Sequence, residues 1–355
     1  MNRPFISPTA LEKERIMTME TTKHLLPPVK EYFKAGLHSH STFSDGKITP
    51  EESKAEYKRQ GYKILCITDH NINVAHPELN EPDFLMLTGF ELNTRIPEGW
   101  RVIADKVYHL LFIAKRPDNL WQPIPRWGVT EHDPVAAPQA ENLCRDYDID
   151  AVNALIARGN EKGFLCCYNH PVWSLQSYPD YAPLKGLWAM EMCNYGSVRI
   201  GYDGNDGRIY HEMVRLGMDI VPLGTDDAHS IRAIGGAWTM IGAEELTYES
   251  VIQAMEQGDL YMSTGPEIHS LTLCGNLLRV TCSPAASVNV ETSGRWAKIK
   301  TAQEKGQTIT DAEFDLSKFL EGLREEPEAF IRLTVTAPDG TYAATRAYRI
   351  RELTQ

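Results

Sequence analysis

Between residues 35 and 230, short apolar runs stop again and again at histidine or a carboxylate. Residues 35–37 lead into His38-Ser39-His40, 63–68 into Asp69-His70-Asn71, and 84–90 into Glu91. The run 107–114 carries His109 beside its first apolar residues, and 164–168 leads into Asn169-His170-Pro171. Residues 187–192 form a further run, and 219–223 leads into Gly224-Thr225-Asp226-Asp227-Ala228-His229. Most of these runs are apolar throughout rather than alternating, which suits strands covered on both faces, as in a parallel sheet.

Helical signals lie between several of the runs. Thr49 followed by Pro50, Glu51 and Glu52 is an N-cap with proline at the first helical position and acids in the first turn, and Gly61 stops that helix. Residues 150–162, 206–216 and 247–257 read as further helices, each followed at once by glycine, the usual left-handed cap. Strand and helix alternating in this way give an α/β fold, with a closed barrel as the expected form. The carboxyl-terminal strand ends of such a barrel share one cavity, so residues distant in sequence meet there.

After Gly265-Pro266 the texture changes. Segments 270–273, 277–282, 287–292, 297–300, 329–336 and 342–350 read as short strands, with turns at Cys274-Gly275, Ser293-Gly294 and Asp339-Gly340. The chain therefore divides into an N-terminal extension (1–34, with a short helix near 9–19), an α/β unit (35–265) and a small all-β sandwich-type domain (266–355). Its 355 residues suit about two domains.

With 36 Lys and Arg against 48 Asp and Glu, the formal charge is −12, which lacks the basic footprint of a nucleic-acid binder. No apolar run reaches 18 residues and the N-terminus has no signal-peptide core, so no membrane span is expected. Seven cysteines without framework spacing, two of them adjacent at Cys166 and Cys167, point to reduced thiols and a cytoplasmic protein.

Six of the eleven histidines lie at or near the run ends. Taken singly, each has an ordinary reading: His109 as a core residue, His38 and His40 as a solvated turn, Asp45 as a turn former, Glu91 paired with Arg95, Asp226 and Asp227 as caps. Taken together, imidazoles and carboxylates at one end of one sheet call for divalent cations. Six histidines with Asp45, Glu91 and Asp227 exceed what one tetrahedral zinc uses, so the count fits two or three ions.

The stretches LHSHSTFSDG, ITDHN, GFELN, YHLLFIA, YNHPVW and GTDDAH resemble those of the PHP (polymerase and histidinol phosphatase) metallohydrolases over about residues 35–265. The resemblance implies a distorted (β/α)7 barrel. It implies that one metal takes His38, His40, Glu91 and Asp227, that a second shares Glu91 and adds His109 and His170, and that a third takes Asp45, His70 and His229. Glu91, Asp227 and His229 are the expected catalytic residues among them. The ions would be zinc, manganese or iron. GLWAMEMCN, NDGRIYHEMVRLG and GDLYMSTGP are similar to the branch with carbaryl-hydrolase-like enzymes and predicted phosphoesterases.

The expected activity is hydrolysis of a phosphoester in a small phosphorylated metabolite, by a hydroxide bridging two ions. A carboxyl ester, amide or carbamate hydrolase would use the same metals. An exonuclease and a non-enzymatic binding module are the remaining alternatives. His132, His211 and Asp69 are candidate general acids, and Arg95, Arg199 and Arg232 candidate phosphate clamps. The Pro- and Trp-rich stretch 115–149 is either a lid over the site or a surface excursion packing its own tryptophans.

Overall fold

The computed structural model describes residues 22–94, 105–125, 140–304, 306–323, 325, 326 and 328–354. The expected helix near 9–19 lies outside them, as do Arg95, Trp127 and His132.

Local signals in the sequence are realised closely. The helix Pro50–Arg59 is closed by a capping box in which Thr49 Oγ1 accepts from the Glu52 N–H (3.2 Å) and the Glu52 carboxylate accepts from the Thr49 N–H (2.9 Å). Asp148 caps the helix Ile149–Glu161, accepting from the N–H groups of Asp150 and Ala151. The helix Tyr248–Gln257 ends at Gly258 with φ +71°.

The strands in order are β1 (Lys23–His24), β2 (Phe33–Gly36), β3 (Ile64–Ile67), β4 (Leu85–Asn93), β5 (His109–Ala114), β6 (Phe164–Tyr168), β7 (Ala189–Asn194) and β8 (Val221–Thr225). β2, β3 and β4 are parallel neighbours, and so are β6, β7 and β8. Between the two triplets β5 runs antiparallel to both β4 and β6, which corrects the reading of a parallel sheet throughout. An antiparallel return needs no helical crossover, and an apolar run buried on both faces carries no mark of its direction.

The sheet also extends beyond these strands. β9 (Trp238–Ile241) pairs antiparallel with β2, and β10 (Leu260–Ser263) with β9. Neither was legible as a strand. In the C-terminal region lie β11 (Ile268–Cys274), β12 (Leu277–Ala285), β13 (Ser287–Thr292), β14 (Ala297–Thr301), β15 (Ile309–Asp315), β16 (Phe330–Thr336), β17 (Tyr342–Thr345) and β18 (Tyr348–Arg349). β17 pairs with β10, so one mixed 14-stranded sheet runs from the α/β region into the β-rich tail. The fold is thus mixed α/β with a large sheet, and its hydrogen-bonded order is not that of a self-contained seven-strand barrel. β1, β11, β12 and β15 form a second, four-stranded antiparallel sheet.

Of four buried apolar clusters, two pack on the strands that carry the site. Phe90, Phe112, Trp121, Phe164 and Tyr210 lie in one, between the strands and the helices Ile149–Glu161 and Gly207–Arg215. Leu37, Ile64, Leu111, Cys167 and Leu223 belong to a second that joins the strands to the helix Tyr248–Gln257. A third lies in the C-terminal region, where Leu25 and Leu26 pack with Leu278, Val280 and Val335. Part of the expected N-terminal extension therefore belongs to the tail's core. Trp121 is also a core residue, not part of a lid.

Candidate metal centre

The His38-Ser39-His40 segment is clamped by backbone hydrogen bonds on both sides. Thr68 N donates to Ser39 O (2.7 Å) and His40 N to Ala228 O (2.9 Å), tying the ends of β2, β3 and β8 together. The loop that follows folds back through Asp69, whose carboxylate accepts from Ser41 N (2.7 Å), Ser41 Oγ (2.6 Å) and Ser44 Oγ (2.6 Å). Gly46 lets this turn close: a Cβ there would lie 2.4 Å from His40 O. Asp45 is thereby carried over His40, with Asp45 Oδ1 3.8 Å from His40 Nδ1. Four non-glycine residues among those described have positive φ, and three are at this site: Asn71 (58°), His170 (24°) and Asp227 (46°). Such backbone is costly, and it persists where the surroundings over-determine it.

All nine donors expected from the sequence converge. His38 Nε2 and His40 Nε2 lie 3.1 Å apart, and Asp227 Oδ1 is 3.3 Å from the first and 3.1 Å from the second. Glu91 Oε1 lies 3.1 Å from His109 Nδ1 and 3.3 Å from His170 Nε2, so both imidazoles meet the same carboxylate oxygen. Glu91 Oε2 lies 3.0 Å from His70 Nδ1 and 3.5 Å from His40 Nε2. His229 Nε2 is 3.3 Å from Asp45 Oδ1.

Three sets offer ligating atoms within 4.8 Å of one another: His38 with His40 and Asp227; His70 with Glu91 and His109; and His40 with Asp45, His70 and His229. His40 and His70 each stand in two sets, so the donors are shared more widely than three separate lists imply. His170 joins through Glu91.

Several rings are held from behind, the pattern that fixes a metal-ligating tautomer. His38 Nδ1 meets Glu191 Oε1 at 2.6 Å, leaving Nε2 toward His40, Glu91 and Asp227. His170 Nδ1 faces Ser174 Oγ (3.2 Å), and His229 Nδ1 faces Asp227 O (3.0 Å). Sequence reading missed Glu191, which is fully buried on β7 and accepts from Thr225 Oγ1 (2.7 Å), Asn194 Nδ2 (3.0 Å) and His170 N (3.1 Å). The available signal was a lone acid inside the apolar run 187–192. Asn169, also unforeseen, donates to Glu91 Oε1 at 2.7 Å.

The charges are those of a cation site. Burial alone would raise the Glu91 carboxyl pKa, but His109, His38 and His70 hold it well below the usual carboxylate range. Asp227 behaves alike, with burial opposed by His38 and His40. Burial lowers His38, yet Asp227, Glu191 and Glu91 more than reverse this. Burial, followed by repulsion from His70, pushes His40 down to about 4. His70 Nδ1, His109 Nδ1 and Asp227 Oδ1 are buried without any hydrogen bond of sound geometry. Orphaned donor atoms of this kind, nitrogen and carboxylate oxygen only, fit divalent metal ions.

The remaining candidates separate. Asp226 accepts from Tyr62 Oη and from the N–H groups of Gly235, Gly236 and Ala237, so it anchors a loop. Asp69 is committed to the 41–44 loop. His211 lies elsewhere, packed edge-on to Phe330 and 4.0 Å from Glu291, and is not a general acid for this centre. Arg199 donates to Arg232 O (2.6 Å), and both side chains are exposed. Trp173, not foreseen, packs edge-on to His109 and His170 at ring distances of 5.5 and 5.0 Å.

Among solved structures, the chain is similar to a two-domain protein from Bacteroides vulgatus containing a predicted PHP-like metal-dependent phosphoesterase. The two share 13% identity, with a TM-score of 0.45 over 92% of this chain and 97% of that one. A putative metal-dependent phosphoesterase from Bifidobacterium adolescentis matches at 16% identity and TM-score 0.34, over 57% and 89% of the two chains. A lesion-specific endonuclease from Pyrococcus furiosus matches at 14% identity and TM-score 0.39, over 64% and 56%. No curated protein matches. The family model described as the PHP domain matches residues 36–215, half of the sequence and all but two of the nine converging donors, and the chain belongs to that family.

Proposed function

We propose that this protein is a metal-dependent hydrolase acting on a phosphoester of a small phosphorylated molecule. The observation that carries the reading is the convergence of six imidazoles and three carboxylates with buried donor atoms left unbonded. His38, His40, Glu91 and Asp227 would hold one ion, His109 and His170 with Glu91 a second, and Asp45, His70 and His229 a third. Zinc, manganese or iron in these positions would acidify water and neutralise charge on the substrate.

The chain's own residues supply position. Glu191 and Ser174 set which nitrogen of His38 and His170 faces inward. Asn169 and Asn194 donate to Glu91 and Asp227 (2.7 and 3.2 Å) and so fix the carboxylates against rotation. Trp173 walls the side next to His109 and His170 and limits water there. On this reading Glu91, Asp227 and His229 would be the residues that touch the reacting group.

The same reading keeps residues 35–265, which hold the end of β2 and all of β3 to β8, as one curled catalytic unit with 266–355 appended. The Ser39–Ala228 parallel bridge beyond the ends of β2 and β8 supports that closure. The charge of −12 favours a small-molecule substrate over nucleic acid, and the seven free cysteines favour the cytoplasm. No helix among the described residues is long and apolar enough to cross a membrane.

The test compares p-nitrophenyl phosphate with p-nitrophenyl acetate, using manganese- or zinc-loaded protein and a chelated control. Chelator-sensitive phosphate release, abolished in His40→Ala, is the expected result. Turnover of the acetate alone would overturn the phosphoester assignment in favour of carboxyl ester, amide or carbamate hydrolysis.

A further inference from the structure

Away from the metal centre, a cleft of about 580 Å³ opens between the helix Gly207–Arg215 and the β13–β14 hairpin. None of the nine metal-site donors lines it. Its walls carry Arg208 and Arg215 from the helix, Arg295 from the hairpin turn and Arg332 from β16. Against these stand two acids, Glu212 and Glu291. Glu212 is engaged by Arg208 (Nε to Oε1 3.0 Å) and by the Tyr181 hydroxyl, and Glu291 by Arg332. Arg215 and Arg295 have no ion-pair partner among the described residues. Four guanidiniums against two carboxylates leave the cleft with two uncompensated positive charges, in a chain whose formal charge is −12.

A built site differs from a solvated basic surface in what it buries. The Arg332 side chain is 8% exposed, and its Nε makes no hydrogen bond. A buried guanidinium N–H without an acceptor is costly, and an anion in the cleft would relieve it. Trp296 supplies a flat apolar wall, fixed from behind by stacking on Phe319 at a ring distance of 5.8 Å. The volume lies within the range of small-molecule sites.

We propose that this cleft binds a small organic dianion, a phosphate or phosphonate joined to a flat apolar body. The head group sits on Arg215, Arg295 and Arg332, whose planar forks suit its oxygens, and the flat body lies against Trp296. The two uncompensated charges match a dianion better than a monoanion.

Isothermal titration of the metal-loaded full chain with phenylphosphonate tests the site. Apart from any equivalent taken by the metal centre, wild-type protein is expected to show one equivalent of binding that R215A/R295A loses or holds at least tenfold more weakly. Both substituted arginines are exposed, so the fold is expected to survive. Methylphosphonate and benzoate are each expected to bind this equivalent at least tenfold more weakly. Equal stoichiometry and affinity in wild type and R215A/R295A would overturn the site. At this arginine-dependent equivalent, methylphosphonate binding as tightly as phenylphosphonate would overturn the flat body, and benzoate doing so would overturn the dianion.

Discussion

Strand β5 is buried at all six of its positions, whereas β12 alternates between buried and open ones. The contrast explains why, among the described residues, candidate metal ligands gather in one half of the molecule and not in the other. A strand covered on both faces admits a polar side chain along its length only where buried partners satisfy it, as at Glu191, so most polar groups collect at its ends. The ends of β2, β3, β4, β6 and β8 lie together, and the polar groups collected there meet. β12 instead spreads Arg279, Thr281 and Ser283 outward along its open face while Leu278, Val280 and Cys282 point into the core. Polar groups dispersed in this way face water and do not converge.

The strongest way to break this comparison is at Glu91, which meets five imidazoles. Glu91→Gln should lower metal-dependent hydrolysis at least about 1,000-fold and reduce bound metal measured by elemental analysis. Activity within tenfold of wild type would remove Glu91 from the centre. In the other half, Leu278→Ala should cost about 2–5 kcal/mol of stability in urea melts, while activity per folded molecule stays unchanged. Lost activity in fully folded protein would show that the two regions are not functionally separate.

Glu191→Gln sharpens the comparison from inside a strand. It should weaken metal affinity about 10–100-fold with a smaller effect on folding, because the residue orients His38 without being a ligand. Unchanged affinity would make Glu191 a packing residue only.

Asp206 tests burial by pH. Desolvation pushes its carboxyl pKa up to about 7, from the ordinary value of 3.8. Between these values the folded chain holds a proton that the unfolded chain has released, so stability falls as pH rises through the window and stays lower above it. Asp206→Asn should therefore gain on the order of 2 kcal/mol relative to wild type at pH 8 and about nothing at pH 3.5, read from urea melts at both. A gain independent of pH would assign the effect to packing. The smallest effect belongs to Arg279→Ala, whose pairing with Glu313 is half exposed; a change beyond about 0.5 kcal/mol would contradict the outward assignment of that face.

Much of the site was legible because its signals are local. His38-Ser39-His40, Asp69-His70-Asn71 and Asp227-Ala228-His229 each put donors directly after an apolar run, and caps such as Thr49 mark their helices within four residues. Three examples show what was hidden. The direction of β5 was hidden because full burial leaves the same apolar sequence in either orientation. Glu191 was hidden because a buried acid inside a strand is recognisable only through the groups that satisfy it, here Thr225, Asn194 and His38. β15 was hidden because Thr310, Asp311, Glu313 and Asp315 outnumber its inward Ala312 and Phe314.

The sequence by itself determined the α/β texture, the change of texture after residue 265 and the identity of the nine candidate donors, because periodicity, caps and residue type are properties of neighbours along the chain. Only the tertiary structure decided that β5 runs against its neighbours, that the sheet continues through β9 and β10 into the tail, and that His40 and His70 face two groups of donors each. These depend on which strands lie side by side, and hydrogen bonds between distant segments set that adjacency without leaving a local trace.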